Sequence, residues 1–464
     1  MSRKSKMISV LAVITMTALA CAIPGGILPS SIPSNLPVDI IGTTVAGTLT
    51  AMPPLFQQPT STGVGSEAEA TPTLGAPAPA VLRVAYVKNK DAWIWTQGGS
   101  PIQLSANGDI LDVAISSDGQ QVAYIRQTGE FVQEIWAVNK DGSNPRTLVS
   151  GNELLATYSG AAADQPNGIG VFQFGWQPGS HNLYYNTKPL VAGPGSMSYN
   201  DLYRVNTDNL AKTTLFGAGQ GGKFVFSPDG TKMAIVTSTA ISLANADGSN
   251  LHSNVVTYPN VITYSEYNYY PNPVWATDGS QLKAVVPSAD PMANPLPPST
   301  LWSAPGDGGA GTATGGVQAI AFAWPDYAIS PDLKKLGYAQ PVGAPADNTT
   351  QLHLVFSDLS GDHVFASGTS LRFVGWLPNS NQFVYTIGSG AGVGIYIGNL
   401  DGSQVQLSAV PNLFLGMVWT DNTHFLYRTP INNGSAFELR YFDLSGMTSI
   451  LIDSGEVWVF DFSH

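Results

Sequence analysis

The sequence predicts an all-β fold built from repeated antiparallel sheets. Glycine (49) and proline (33) are abundant among the 464 residues, whereas charged residues make up only 11%. Helical proteins of this size contain more Glu, Lys and Arg, because these residues favour helices. A pattern of apolar strand, tight turn and second apolar strand also recurs, at intervals of about 43 to 59 residues. Composition and repetition together favour many short strands joined by turns.

The repeated pattern has four clear copies and three weaker ones. Each clear copy carries an Asp-Gly or a related turn between two apolar runs, which is a strong hairpin signal because Asp and Gly tolerate positive φ. The weaker copies start at Phe172, Phe373 and Gly416. The clear copies are Val113 to Tyr124, Phe224 to Ile235, Val274 to Ala284 and Tyr327 to Tyr338.

A third and a fourth strand follow most copies. The third strand commonly ends in a second Asp-Gly turn, as in Ile135 to Gly142, Ile241 to Gly248 and Ile395 to Gly402. Short segments such as Arg146 to Val149 supply the fourth strand. The unit is therefore a four-stranded antiparallel meander, and meanders repeated at this period are typical of β-propeller blades.

The two ends of the repeat region predict a closed ring. The first unit lacks its opening strand, because Val84 to Val87 corresponds to a second strand. The last segment, Val457 to Ser463, corresponds to an opening strand with nothing after it. We therefore expect the C-terminal strand to complete the first blade. The sequence predicts a single propeller over residues 81–464 with eight blades; seven is the alternative, because Pro287 to Trp324 is irregular.

The turn motifs carry a family resemblance. The segment Ser227-Pro-Asp-Gly230 and the Asp-Gly-Ser turns resemble the WD40-like (PD40) propeller repeats of the TolB family, and the resemblance covers Leu82 to His464. It implies a propeller fold, a periplasmic location and protein partners. TolB proteins carry an additional α/β domain before the propeller, and the present sequence has a different segment there.

The N-terminal 80 residues predict an export signal and a tether. Residues 1–20 combine three basic residues with an apolar stretch too short to span a bilayer. The segment ending at Cys21 resembles a bacterial lipobox, although Ala18 stands where Leu is commonest. Ordinary signal cleavage near a chance cysteine is the alternative. Residues 21–80 are rich in Pro, Ser and Thr, which predicts an extended tether. We expect a lipid-anchored protein of the bacterial cell envelope.

Charge and cysteine content restrict the partners. The formal net charge is −12, and no basic patch indicates nucleic-acid binding. The same charge argues against docking on anionic lipid headgroups, so we expect membrane contact only through the N-terminal lipid. Because Cys21 is the only cysteine, internal disulfides are excluded. We expect a monomer.

The sequence shows no recognisable catalytic or metal-binding motif. The glycine-rich segment Gly217 to Gly222 leads into a strand, so no helix N-terminus follows it to bind phosphate. A Gly-x-Ser-x-Gly elbow with an α/β-hydrolase domain is missing. We therefore predict a protein that is not an enzyme and that needs no metal or cofactor. The histidines lack metal-ligand spacing; they are His181, His252, His353, His363, His424 and His464.

Long loops are expected on one face of the propeller. In a propeller, the turns after the first and third strands share one face, here the turn face. The other connections share the opposite face, here the loop face, and loops on a rigid scaffold commonly bind ligands. The predicted long segments are Ser150 to Gly170, Lys188 to Asn200, Tyr258 to Pro271, Pro287 to Ser299 and Pro341 to Thr350.

The segment Tyr258 to Asn272 is the candidate binding loop. Tyrosine combines a large apolar face with a polar tip, which suits the recognition of proteins and sugars. The alternative is that several of these rings pack beneath their own loop. The candidate ligand-binding residues are Tyr258, Tyr264, Glu266, Tyr267, Tyr269 and Tyr270.

Three functions remain open from the sequence. The leading hypothesis is a module that binds a protein or a cell-surface glycan through the loop face. The runner-up is a polysaccharide lyase or glycosidase, which would need paired carboxylates or a His, Tyr and Arg group in the central pocket. The third is a structural surface-layer component.

Replacing the single cysteine tests the lipid anchor. The Cys21→Ser variant, expressed in a bacterial host, should move from the membrane fraction to the soluble fraction, because it lacks the sulfur that would carry the lipid. Fractionation and immunoblotting measure the distribution. A variant that stays in the membrane fraction would show that the lipoprotein hypothesis is wrong.

Overall fold

The computed structural model divides the chain into two units, Met1–Gly75 and Ala76–His464. It describes residues 81–464 except 162–163, 191–196, 264–266, 292, 322–324, 344–347, 409 and 411–414. The predicted signal peptide, Cys21 and the tether lie outside the described residues.

The described residues form eight four-stranded antiparallel sheets, each a propeller blade. The first four blades comprise β34 (Val457–Ser463), β1 (Arg83–Lys88), β2 (Asp91–Thr96) and β3 (Ile102–Gln103); β4 (Ile110–Ile115), β5 (Gln121–Gly129), β6 (Val132–Asn139) and β7 (Arg146–Val149); β8 (Gly168–Trp176), β9 (Asn182–Leu190), β10 (Leu202–Asn206) and β11 (Lys212–Phe216); and β12 (Lys223–Phe226), β13 (Lys232–Val236), β14 (Ala240–Asn245) and β15 (His252–Thr257).

The remaining four blades repeat the same order from first to fourth strand. They comprise β18 (Val274–Trp275), β19 (Gln281–Val286), β20 (Ser299–Pro305) and β21 (Thr312–Val317); β22 (Tyr327–Ile329), β23 (Lys335–Val342), β24 (Thr349–Phe356) and β25 (His363–Thr369); β26 (Arg372–Trp376), β27 (Gln382–Ile387), β28 (Gly394–Asn399) and β29 (Gln404–Gln406); and β30 (Leu415–Trp419), β31 (His424–Ile431), β32 (Ala436–Asp443) and β33 (Thr448–Gly455).

A few elements lie outside the blades. A two-stranded ribbon, β16 (Ile262–Thr263) with β17 (Tyr267–Asn268), precedes the fifth blade. The helix α1 (Gly151–Leu155) follows β7, and Ser150 and Glu153 form a capping box at its start. Short 3₁₀ turns lie at Gly390–Gly392 and Asn432–Gly434.

Side-chain hydrogen bonds explain the repeated turn motif. In the first-to-second strand turn of the second blade, the Ser116 hydroxyl donates to Asp118 Oδ1 over 2.6 Å, and the Gln120 amide donates to the same oxygen over 3.1 Å. Ser227 and Asp229 repeat the first contact at 2.6 Å. The aspartate thus satisfies donors that the tight turn leaves without backbone partners.

The Asp-Gly-Ser turns between third and fourth strands share one geometry. The Ser143 amide and hydroxyl both donate to Asp141 Oδ1, over 2.9 and 2.6 Å. The same two distances recur between Ser403 and Asp401. Gly142 has φ +82°, a conformation that glycine adopts without steric cost. The predicted hairpin function of these motifs is confirmed.

The hydrophobic core lies between neighbouring blades. One cluster, for example, combines Ile135 of the second blade with Leu183 of the third blade, both fully buried. Polar contacts also cross between blades. The Tyr184 hydroxyl in the third blade donates to the Ala246 carbonyl oxygen of the fourth over 2.6 Å. Each blade therefore depends on its neighbours for the burial of its sheet faces.

The C-terminal strand completes the first blade. The strands β34 and β1 pair antiparallel, with Ser463 opposite Arg83 and Phe460 opposite Tyr86. In the adjoining eighth blade, Asp453 accepts hydrogen bonds from the Tyr86 hydroxyl over 2.6 Å and from Lys88 Nζ over 2.7 Å. The predicted closure and the count of eight blades are confirmed, and the seven-blade alternative is wrong.

The long loops have the predicted positions, but strands extend into several of them. In the third blade Gly168 pairs with Leu190 and Gly170 with Lys188, so the predicted loops Ser150 to Gly170 and Lys188 to Asn200 contain strand ends. The segments between β7 and β8, β9 and β10, β15 and β18, β19 and β20, and β23 and β24 are all second-to-third strand or blade-to-blade connections. In the sixth blade the strands extend further than predicted, because Val342 pairs with Thr349. The predicted loop Pro341 to Thr350 therefore contains the ends of two strands.

Removing the last strand tests the closure. Deletion of Val457 to His464 should abolish a single cooperative unfolding transition, because the β1 edge and the faces of the first blade lose their partners. Thermal unfolding followed by circular dichroism measures this. Deletion of His464 alone, an exposed residue, is the matched control and should leave the transition intact. A cooperative transition in the longer deletion would contradict the closed ring.

Candidate functional site: the central cavity

A cavity of about 460 Å³ lies along the opening strands of the first three blades. Its wall begins midway along these strands and reaches the turns at Ser117 and Pro178, so it lies toward the turn face. The volume is within the range of about 300–1,000 Å³ typical of small-molecule sites. The lining residues are Asp112, Val113, Ala114, Ile115, Ser117, Phe174, Gly175, Trp176, Pro178, Val459, Phe460, Asp461 and Phe462.

Two carboxyl groups from different blades lie in the cavity wall. Asp461 on the closing strand accepts the Ile115 amide on Oδ2 and the Phe462 amide on Oδ1, each over 2.9 Å. Asp112 accepts the Val113 amide over 2.8 Å. The first of these bonds joins the closing strand to the second blade, so Asp461 also holds the ring together.

Burial shifts both acids toward the protonated state. Burial raises the pKa of Asp112 to about 6; the Val113 amide opposes this shift, and the negative charge of Asp461 adds to it. Burial also raises the pKa of Asp461, against the opposing effect of its two amide donors. A carboxyl group with a pKa near 6 can donate and accept a proton near neutral pH.

Aromatic rings form much of the remaining wall. Phe174, Trp176, Phe460 and Phe462 all line the cavity and are half-buried. The Trp176 indole nitrogen donates to the Ala114 carbonyl oxygen over 3.1 Å, which fixes the ring. The cavity therefore combines flat apolar surfaces with two hydrogen-bonding acids.

This site was not predicted from the sequence. Each acid is the only charged residue in its strand, Asp112 in β4 and Asp461 in β34. The sequence did contain one signal for the site, which is an acidic residue in an otherwise apolar opening strand. That the two strands adjoin follows from the predicted closure, but that both acids face one cavity depends on side-chain packing.

The candidate tyrosines have different environments. Tyr258 and Tyr270 are buried in one hydrophobic cluster, where the Tyr258 hydroxyl donates to the Thr237 carbonyl oxygen over 2.9 Å. Tyr269 is half-buried, and Tyr267 lies in β17. Tyr264 and Glu266 lie outside the described residues. Tyr258 and Tyr270 are thus core residues, the alternative that the sequence left open, and ligand binding by the loop stays a prediction.

Three of the histidines, His181, His353 and His424, lie within ion-pair distance of aspartates. His181 lies between the second and third blades, with Nε2 3.1 Å from Asp118 and Nδ1 2.9 Å from Asp208. Burial lowers the pKa of His181, but these two carboxylates outweigh it and raise the pKa above the usual value. Within the described residues, no group of three or more His, Cys, Asp or Glu side chains could hold a metal ion. No described helix is long and apolar enough to cross a membrane.

No family model and no curated protein match the sequence. Similar solved structures include TolB from Acinetobacter baumannii, with 14% identity over 60% of this chain and 61% of that chain, at a TM-score of 0.31. Prolyl oligopeptidase B from Galerina marginata is 13% identical over 74% of this chain and 51% of that chain, at a TM-score of 0.47. An oligogalacturonate lyase in complex with manganese is 12% identical over 77% of this chain and 94% of that chain, at a TM-score of 0.41.

These similarities concern the fold and correct one prediction. The chain spans about 61% of the length of that TolB protein and about half of the oligopeptidase. The propeller expected from the TolB resemblance is confirmed. The prediction that the protein is not an enzyme is contradicted, because the similar structures include a peptidase and a lyase. The two half-buried carboxyl groups of the central cavity were also not predicted from the sequence.

The pH dependence of stability tests the environment of Asp112. Its folded pKa of about 6 exceeds the ordinary value of 3.8, so its contribution to stability is full below about pH 4 and is lost as pH rises through 6. The Asp112→Asn variant lacks this titration. Relative to wild type, its free energy of unfolding should rise by on the order of 2 kcal/mol between pH 4 and pH 7.

Urea unfolding of both proteins at several pH values measures this difference. Titrating groups that do not interact with Asp112 are common to the two proteins, so they cancel in the comparison; the coupling between Asp112 and Asp461 is part of the difference that is measured. A stability difference that does not change between pH 4 and pH 7 would show that Asp112 has an ordinary pKa.

Proposed function

We propose that this protein is an extracytoplasmic, lipid-anchored propeller of the TolB-like type that binds a glycan in its central cavity. The lipobox-like segment at Cys21 and the tether support the location. The observation that carries the function is the wall of the cavity, where four aromatic rings and two carboxyl groups face one space.

The wall suits a neutral sugar. The C–H face of a pyranose ring packs on aromatic rings such as Phe174 and Phe460, because both surfaces are flat and apolar. Sugar hydroxyl groups donate hydrogen bonds to carboxylate oxygens and accept them from a protonated carboxyl group. Asp112 can serve in both states near neutral pH, because its pKa is about 6. An anionic ligand would be repelled by the ionised pair.

Cleavage of a glycosidic bond is the second candidate function. The specific observation is the pKa of Asp112, raised to about 6 by burial with the charge of Asp461 adding to the effect. A protonated carboxyl group beside a second carboxyl group is the arrangement that glycosidases use for general acid catalysis. In this role Asp112 would protonate the leaving oxygen, and Asp461 would be the second carboxyl group.

Removal of the two rings tests glycan binding. The full-length protein should bind at least one member of a panel of neutral oligosaccharides, measured by calorimetry or saturation-transfer NMR. The double variant Phe174→Ala, Phe460→Ala should weaken that binding by at least roughly tenfold, because aromatic contacts of this kind often contribute more than about 1 kcal/mol each.

The matched control is Phe356→Ala, which removes a ring that is 54% exposed on the sixth blade. It should bind the oligosaccharide as wild type does. No binding of any panel member by the wild type, or equal binding by the double variant and the control, would contradict the proposal. Release of shortened sugars by the wild type and not by Asp112→Asn would favour the second candidate function.

A further inference from the structure

Both ring nitrogens of His181 face carboxylates. Its Nε2 lies 3.1 Å from Asp118 Oδ2, which belongs to the second blade, and its Nδ1 lies 2.9 Å from Asp208 Oδ2, which belongs to the third blade like His181 itself. A carboxylate only accepts hydrogen bonds, so both contacts are hydrogen bonds only when both nitrogens carry protons. In a neutral imidazole, one of the two carboxylates faces a nitrogen lone pair.

The charges around the ring favour its protonated form. Burial lowers the pKa of His181, but the hydrogen bonds and charges of Asp208 and Asp118 outweigh it and raise the pKa. Burial raises the pKa of each carboxyl group, but their hydrogen bonds lower it further, so both stay ionised while the ring titrates. Arg146 is the other charged side chain of this cluster, and its charge acts on Asp208.

The remaining contacts of the cluster do not depend on a histidine proton. The Gln121 amide in the second blade donates to Asp208 Oδ1 over 2.8 Å. The Thr207 hydroxyl in the third blade donates to Gln121 Oε1 over 2.7 Å, and Arg146 Nε donates to the Thr207 carbonyl oxygen over 2.9 Å. Amide, hydroxyl and guanidinium groups keep their protons in the range where histidine titrates. The contact with Asp118 is therefore the part of this cluster that links two blades and depends on protonation.

The cluster lies at the turn-face rim of the central cavity. Ser117 and Trp176 both line the cavity, and Ser117 immediately precedes Asp118. The Gly179 amide in the third blade donates to the Ser117 hydroxyl oxygen in the second over 2.9 Å. The Trp176 ring lies edge-on to the His181 ring, with centroids 6.3 Å apart. A change in the contacts of His181 is thus transmitted directly to two residues of the cavity wall.

We infer that protonation of His181 holds the second and third blades together at the rim of the central cavity, and that loss of this proton releases the contact with Asp118. A histidine whose pKa is raised by folding contributes stability that is present at low pH and is lost as pH rises through the folded pKa. The rim therefore opens more often at higher pH. This inference involves no ligand, so its test is independent of the glycan proposal.

Hydrogen exchange at the Gly179 amide tests the contact between the two blades. Protection factors of the full-length protein are compared at about pH 5 and about pH 9, on either side of the histidine titration. Wild type should lose protection by about two- to fivefold at the higher pH, the effect expected of one exposed ion pair. Asp118→Asn keeps an Oδ1 acceptor for the turn but lacks the charge, so it should lose this pH dependence. In NMR titrations, the midpoint of His181 should be lower in Asp118→Asn than in wild type.

The matched control is Asp421→Asn. It removes the same charge from an aspartate that lies 2.8 Å from His424, but this pair lies within the eighth blade. It should keep the wild-type pH dependence at Gly179. Asp112 also titrates in this range, but it is present in all three proteins, and the charges that act on His181 are those of Asp208 and Asp118.

Two results would overturn the inference. One is protection of Gly179 that does not change with pH in wild type, or that changes equally in wild type and Asp118→Asn. The other is an equal titration midpoint of His181 in these two proteins. Should Asp118→Asn fail to fold, His181→Gln takes its place, because glutamine does not titrate; an unchanged pH dependence at Gly179 in this variant would equally contradict the inference.

Discussion

The pairing of β34 with β1 connects the two ends of the propeller and is the interaction on which the other features depend. It brings the last strand against the first along a register that runs from Ser463 opposite Arg83 to Val457 opposite Lys88. Without this strand the first blade has three strands and an open edge. The same strand supplies Val459 to Phe462 to the cavity wall. Ring closure and cavity formation are therefore one event.

The closing strand also explains why Asp461 is an acid in an apolar segment. Its carboxylate accepts the amide of Ile115, a residue 346 positions away in the chain. This contact joins the first and second blades in the wall of the cavity. The structural function of Asp461 and its effect on the pKa of Asp112 are coupled, because both result from the position of one side chain.

The fold followed from the sequence because its determinants are local. Asp-Gly turns, alternating apolar runs and a regular period specify hairpins within each blade, and the missing first strand specified closure. The candidate site was harder to predict, because it depends on which side chains meet around the ring. Asp112 and Asp461 meet only after closure. The burial of Tyr258 and Tyr270 depends on packing between the fourth and fifth blades, which the loop sequence does not encode by itself.

The two faces of the propeller have different chemistry. The cavity that reaches the turn face has two acids and four rings, whereas the loop face has Lys223 between two rings. The cavity residues lie on the opening strands of three blades held by the closed ring, whereas Tyr270 packs in the core between the fourth and fifth blades. A rigid ring is the condition for the cavity to keep its shape, because its lining residues come from different blades.

Hydrogen exchange of the C-terminal strand, followed by mass spectrometry, tests the closed ring most directly. The backbone amides of 457–463 should be protected as strongly as those of β31, the second strand of the eighth blade, because both strands pair within a complete blade. Exchange of 457–463 at the rate of an unfolded peptide, with β31 still protected, would contradict the closed ring and with it the cavity.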